Sequence, residues 1–552
     1  MLESFNKNNA TAASEQALKA LGVSYKRQRD GTLLVNGDIA ISGRELTELP
    51  DLSAVVVTGN FWCHFTAITS LKGAPKSVGG SVWCHNCKLT SLEGAPETVG
   101  GDFHCHENQL ASLKGSPQTV GGNFRCDKNK LTTLKGAPQT VAKDFSCHEN
   151  QLPDLEGAPA SVGGIFCQNN RMKSLKGAPA RIEGRFFCHS NLLTNLEGGP
   201  AYVGGDYNTS RNKLTTLKGA PEEAGAEFHC GDNKLTTLEH APRKVGAEFR
   251  CSGNPLKNLI GAPESVGTNL FCTGCGLTSL EGAPRIVPGT FNCSENDLET
   301  LAHAPEKVGD FTCTKTRIRN FEGGPREVSG NIWCWDNQLT SLNGAPPAIG
   351  GDFIVDGNKL TDLTGAPASL KGLHCNRNLL TSLKGAPETV EGNFMCDGNQ
   401  LSTLEHAPRH VGKDFRCVGN PLADLKGAPE FVGENFYCEK SGIASLQGAP
   451  RVVVGNFHCN DNKLTNLDGS PDEVGGYFNC KGNPLEDLEG LPSKFKQLAW
   501  DSGEFEGWEQ APADLREKRI VRDATITQRP IQSMRQLKLK TGKPYAGNFM
   551  KI

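Results

Sequence analysis

A 21-residue unit, G-x-x-F-x-C-x-x-N-x-L-x-x-L-x-G-A-P-x-x-V, recurs along most of this 552-residue chain. Its sixth position falls at residues 63, 84, 105, 126, 147, 167, 188, 209, 230, 251, 272, 293, 313, 334, 355, 375, 396, 417, 438, 459 and 480, which makes 21 rungs. Three of the spacings are 20 residues and the others are 21. Nineteen rungs carry Cys at that position, and Thr209 and Val355 replace it in the other two. A fixed period of this length specifies stacked copies of one small unit, not several independent globules.

Each position of the unit has a physical reading. F-x-C alternates with period two, so Phe and Cys face one side of a short strand and their neighbours face the other. Asn at the ninth position, present in 16 of the 21 rungs, suits a bend whose backbone groups need side-chain partners. G-A-P then turns the chain through a return segment that Pro makes too broken for a full helix. A single copy cannot bury its apolar side, so neighbours must cover it and both ends need caps. The chain divides accordingly into an N-terminal cap at 1–36 with a helix near Ser14–Leu21, a solenoid at 37–492 opened by a degenerate repeat at Gly37–Leu49, and a C-terminal cap and basic tail at 493–552.

The unit resembles the leucine-rich repeat, L-x-x-L-x-L-x-x-N-x-L, with Phe at its fourth position, Cys at its sixth and Leu at its eleventh. The resemblance covers residues 37–492, with one departure: Gly replaces the first Leu, and Val stands one residue earlier. The short unit with Pro in its return segment looks like the short repeats of bacterial and phage-encoded members. The resemblance implies a mostly β repeat solenoid of the α/β type: a curved parallel sheet of 20–21-residue repeats, turns on the convex side, and a concave face that binds protein.

Two readings meet at the cysteines. Cys84-His85-Asn86-Cys87 and Cys272-Thr273-Gly274-Cys275 have the C-x-x-C spacing of redox or zinc sites. In register, Cys84 and Cys272 are ordinary sixth-position residues, while Cys87 and Cys275 take the ninth position in place of Asn, so the framework reading is preferred. The 19 sixth-position cysteines then form an interior ladder of small hydrophobes. Neighbouring thiols come close enough for disulfides, but side chains on in-register parallel strands point the same way and fit the S–S dihedral poorly. Free thiols imply a reducing compartment or deep burial.

The fifth position changes at 18 of its 20 steps while the buried positions hardly change, which marks it as a recognition row. Its aromatic and Arg members, the types that dominate binding hot spots, are Trp62, Trp83, Arg125, Phe166, Phe187, Arg250, Phe271, Trp333, Arg416 and Tyr437, with His104 among them and Trp335 beside Trp333. The tryptophans are expected to be exposed. The seventh position begins with His64, His85 and His106, then Asp127 and His148. This histidine row is a weak metal candidate, since no carboxylate or thiol is placed to complete a first shell; otherwise no cofactor or metal is expected.

From Leu515 onward there are 10 Lys and Arg against two acids, a net +8, which leaves −11 on the rest of a chain whose total is −3. Arg516, Lys518, Arg519, Arg522, Lys538 and Lys540 are the candidate contacts of this tail. Docking on protein is preferred to binding nucleic acid, and Val521–Thr527 and Gln536–Lys540 alternate like short strands. Neither a secretory leader nor an apolar run of membrane-spanning length is present, so a cytoplasmic protein is expected (of a host cell, or within a virion, if phage-encoded). Some bacterial short-repeat proteins carry a cysteine-dependent ubiquitin ligase domain after their repeats. Here no Cys follows Cys480, and residues 493–552 hold no His. Phosphate-loop, nucleophile-elbow and H-E-x-x-H motifs are lacking too. The expected function is a non-catalytic protein-binding scaffold. The alternatives are a structural component of a phage particle or other self-assembly docked through the tail and, least favoured, an enzyme effector.

Overall fold

The computed structural model describes residues 2–513 and 516, with side chains from residue 9 onward. Two compact units divide the chain: residues up to 360 together with Gly365–Leu370, and Thr361–Thr364 together with the chain from Lys371. Each is a parallel β solenoid of the repeats, and together they wind through about 22 turns.

Within each unit, strands at positions four and five pair in parallel with the same positions of the next repeat. In the first unit Phe61 lies against Val82, Val82 against Phe103, and Phe103 against Phe124. In the second, Phe394, Phe415, Phe436, Phe457 and Phe478 follow one another in the same way. These side chains are fully buried. Their rings stack at 5.3 Å between Phe103 and Phe124 and at 5.1 Å between Phe436 and Phe457, and each such burial stabilises by about 1.5–3 kcal/mol.

A second ladder lies one bend upstream. Positions 20 and 21 form their own short strands, such as Thr98–Val99 beside Thr119–Val120, and Val390 beside Val411 in the second unit. The sequence reading provided one strand per repeat; the structure has two, because Val is buried on the same side as Phe and the residues between them form the bend. The 20-residue repeats have lost one residue at this bend. In two of them the strands then run together, as Ser161–Phe166 and Lys307–Thr312, each with a register shift against the repeat before. The third deletion falls between Leu370 and Leu373, where the sequence passes from one unit to the other.

The ninth-position Asn fastens its own repeat to the one before it. Asn150 donates through Nδ2 to the carbonyls of Cys126 (3.1 Å) and Cys147 (3.1 Å) and accepts at Oδ1 from the backbone of Leu131 (2.9 Å). Cys87 and Cys275 stand in for it, their Sγ atoms donating to the carbonyls of Cys63 and Cys251 at 3.4 Å. Ser441 does the same through Oγ to Cys417 at 3.1 Å. The C-x-x-C pairs are thus framework. Thr209 has a matching explanation: its hydroxyl donates to His229 O at 3.1 Å, the bond that Cys126 Sγ makes to Ser146 O at 3.3 Å. One compensation crosses positions: Tyr207 replaces Phe in the core, and Gly199 in place of the usual Ala leaves room beside its hydroxyl.

At the N-terminus the helix is longer than expected, Leu2–Leu21. Leu33–Val35 already pairs with Val55–Val57, and Ile39–Ala40 with Phe61–Trp62. Near the C-terminus Gln497–Trp500 continues the parallel ladder from Tyr477–Asn479, and Gly503–Glu506 folds back on it antiparallel. Trp508 packs on Phe495 there at 5.5 Å. The strands proposed at Val521–Thr527 and Gln536–Lys540 lie outside the described residues.

Candidate binding face

Strand alternation sets the face. With positions four and six inside, positions five and seven stand in rows on the outer surface of the first ladder, in register from rung to rung. Neighbours in a row sit one strand spacing apart, about 4.8 Å, so large side chains cover one another. This corrects the expectation of exposed tryptophans: Trp62, Trp83, Trp333 and Trp335 are all half-buried. His104 goes further and is buried, 6% exposed, because it stacks on Trp83 at 4.0 Å.

The row forms local clusters, not one continuous strip. In the first unit Phe166 meets Phe187 edge-on at 5.2 Å, and the Arg250 guanidinium lies over Phe271 at 4.4 Å while its Nε donates to Glu248 at 2.6 Å. Arg125 is tied to Asp127 by two bonds of 3.1 and 3.0 Å. In the second unit Arg416 binds Asp397 at 2.9 Å and covers Tyr437 at 4.6 Å, and Tyr437 stacks on His458 at 4.9 Å. Such aromatic and cation–π pairs fix side chains that free solvent would leave mobile. Of the tail residues, only Arg516 is described: it is exposed, and its backbone N–H donates to Pro512. Lys518, Arg519, Arg522, Lys538 and Lys540 lie outside the described residues.

The histidine row is ordered but not chelating. The His64 and His85 rings stack at 4.7 Å, and those of His85 and His106 at 4.5 Å, within 9° and 6° of parallel. Face-to-face rings do not aim their nitrogens at one point, and among the described residues no group of three or more His, Cys, Asp or Glu is arranged to hold a metal. Carboxylates do approach, contrary to the sequence reading: Asp102 lies 3.6 Å from His104, and the fully buried Asp127 lies 3.5 Å from His148.

Sequence reasoning missed Phe65. It occupies the eighth position, where the chain takes a left-handed turn (φ 56°), and it is 58% exposed. Every other eighth-position residue, from Asn86 and Glu107 to Asp461 and Gly482, is polar or Gly. Comparing the copies with one another was enough to single it out. A bulky residue in the left-handed region is costly, and Phe65 uses that position to set its ring against the edges of His64 (5.2 Å) and His85 (5.5 Å).

The 21 cysteines are all free; 20 are buried and Cys87 is half-buried. Burial pushes the Cys105 and Cys147 thiols far up, whereas Cys313 is drawn down by thiol hydrogen bonds from Cys293 and Cys334. A recess along the second ladder, lined by Val56, Ser77, Thr98, Thr119 and Thr140 among others, has no titratable group in its wall. No described helix is long and apolar enough to cross a membrane.

No protein-family model matches this chain, and no curated protein matches its sequence. Among solved structures, YopM from Yersinia enterocolitica WA-314 is similar at 18% identity and a TM-score of 0.55, over 84% of this chain and 91% of that one. YopM from Yersinia pestis, described as a leucine-rich effector protein, matches at 17% identity and a TM-score of 0.32, over 78% of this chain and 99% of that one. The functional domain of InlJ from Listeria monocytogenes, described as including a cysteine ladder, matches at 14% identity and 0.31, over 76% of this chain and 79% of that one. At those scores the last two add nothing to the assignment. The register, the paired ladders, the Asn fastening and the first similarity together give this chain the leucine-rich-repeat fold.

Proposed function

We propose that the chain is a non-catalytic scaffold that grips a protein partner with the outer rows of its first strand ladder. One observation carries the reading: the fifth position varies at nearly every rung on a framework that scarcely varies, and Trp83, Arg125, Phe187, Arg250 and Arg416 among its members are held by their neighbours. Pre-set aromatic anchors lose little side-chain freedom on binding. The N-terminal rungs offer Trp62, Phe65 and Trp83; the later clusters are Phe166 with Phe187, Arg250 with Phe271, and Arg416 with Tyr437, and one rung between them carries both Trp333 and Trp335. The free thiols fit a reducing compartment, which supports a cytoplasmic setting.

A second reading, docking in a larger assembly through the basic segment from Leu515, is favoured by the division of charge between tail and body. Affinity capture from native cells separates the two, comparing the parent chain, Trp62→Ala/Trp83→Ala and a truncation at 514. The scaffold reading expects the double variant to recover at least about tenfold less of a stoichiometric partner, on the scale of a lost hot spot, with the truncation unaffected. Equal recovery by the double variant counts against the N-terminal rows; loss on truncation alone supports docking through the tail.

A further inference from the structure

Five histidines crowd the outer surface of four of the five rungs from 63 to 147, and they are packed in a way that suits only neutral rings. His64, His85 and His106 form the stack described above. His104 turns its edge to His85 at 6.5 Å and to His106 at 5.8 Å. His148 joins from the next rung but one, across Asp127. His104 and His106 are 6% and 9% exposed. Nδ1 of His85, His104, His106 and His148 and Nε2 of His104 are buried without a hydrogen-bond partner.

We propose that this histidine cluster is an acid-sensitive seam, which loosens the N-terminal rungs when its rings gain protons and leaves closed the rungs of the same unit at 252–314, which carry no histidine in these rows. Stacked imidazolium rings 4.5–4.7 Å apart would place like charges in contact, and the surrounding groups cannot absorb them. Asp127 is already held by Arg125 through two bonds, and Glu107 by Lys128 at 3.0 Å. Asp102 lies 3.6 Å from His104 but spends Oδ1 on the backbone and side-chain amides of Asn123. Glu149 reaches only His148, at 3.9 Å. Ser42 contributes a hydroxyl to His64 at 3.1 Å, and His189 stands farther along the row. Burial, reinforced for His85 by its neighbouring rings and for His106 by Arg125, lowers both to about 4 from the usual 6.5, and burial lowers His64 and His104 as well.

The sign follows. His85 and His106 take up protons near 6.5 in the unfolded chain and only near 4 in the folded rungs. Their contribution to stability is complete above about pH 6.5 and is lost as the pH falls toward about 4. Rungs 252–314 serve as a built-in control, because their seventh position carries Ser252, Thr273, Ser294 and Thr314. The inference deepens the binding reading, since a partner seated on Trp62, Phe65 and Trp83 would be released on acidification, but its test needs no partner.

The test is hydrogen exchange on the full chain at about pH 7.5 and pH 5.0, corrected for intrinsic rates. The seam predicts that segment 61–110 loses at least about tenfold more protection than segment 252–314, and that His85→Gln/His106→Gln abolishes the difference. Equal loss in both segments overturns the proposal, as does a selective loss that survives the substitutions. If the double variant is already unprotected at pH 7.5, His64→Gln, at the solvent end of the stack, carries the same comparison. A gain in protection at pH 5.0 then supports the seam, and no gain overturns it. Failure of the capture experiment with the seam intact would remove the binding reading and leave the device.

Discussion

Asn233→Leu should lower stability by about 3–5 kcal/mol, because its amide makes five bonds that an apolar isostere cannot replace. Oδ1 accepts from the backbone N–H of Asn212 and of Leu214, both at 3.1 Å. Nδ2 donates to the carbonyls of Thr209 (3.2 Å), Cys230 (3.0 Å) and Gly231 (3.1 Å). Leu fills the space but leaves two buried N–H groups without acceptors, and each such orphan costs about 1–3 kcal/mol. The chain supplies its own milder comparison. Ser441 donates to Cys417 at 3.1 Å and accepts from Asn420 at 3.4 Å, so Asn233→Ser should lose roughly half as much. Because each repeat touches only its neighbours, the loss is local; hydrogen exchange around 209–235, together with the thermal midpoint, measures it. A Leu variant as stable as the Ser variant would show that the amide ladder is not a principal fastening.

Gly219→Val should cost about 2–5 kcal/mol, from left-handed backbone strain and overpacking combined. Gly219 sits at the sixteenth position with φ +93°, and a Cβ there would meet the backbone carbon and oxygen of Leu196 at 2.4 Å. Neither atom belongs to a flexible side chain, so the preceding repeat would have to move. His240, His303 and His406 occupy the same position at φ 68° to 71°, which shows that an unbranched side chain is tolerated once the turn tightens. Gly219→His should therefore cost markedly less than Gly219→Val in parallel thermal melts. Equal costs would mean that branching at Cβ is not what the turn rejects.

The contrast between these two sites shows what could be read from the sequence. Phe103, Cys105, Asn108 and Leu110 announce the ladder because alternation and the fixed period give each of them one role, and the register alone placed Cys87 and Cys275 in the framework. The second ladder was not legible: Thr98–Val99 holds a single buried apolar residue, too little for a period to show. Nor was the degree of burial on the outer face, since alternation says that Trp83 and His104 point outward but not that their rings cover each other. The left-handed turn at the eighth position left a trace in the glycines at 253, 274, 357, 398, 419 and 482, and that trace makes Phe65 conspicuous once the copies are compared.

Site-specific photo-crosslinking in native cells tests the central claim, that the outer rows grip a protein. A photoreactive phenylalanine analogue would be placed at Phe187, in the fifth-position row, and at Thr215, an exposed residue of the return segment. The scaffold account predicts a discrete cross-linked product from position 187 and none from 215. Comparable products from both positions, or a product from 215 alone, would contradict it.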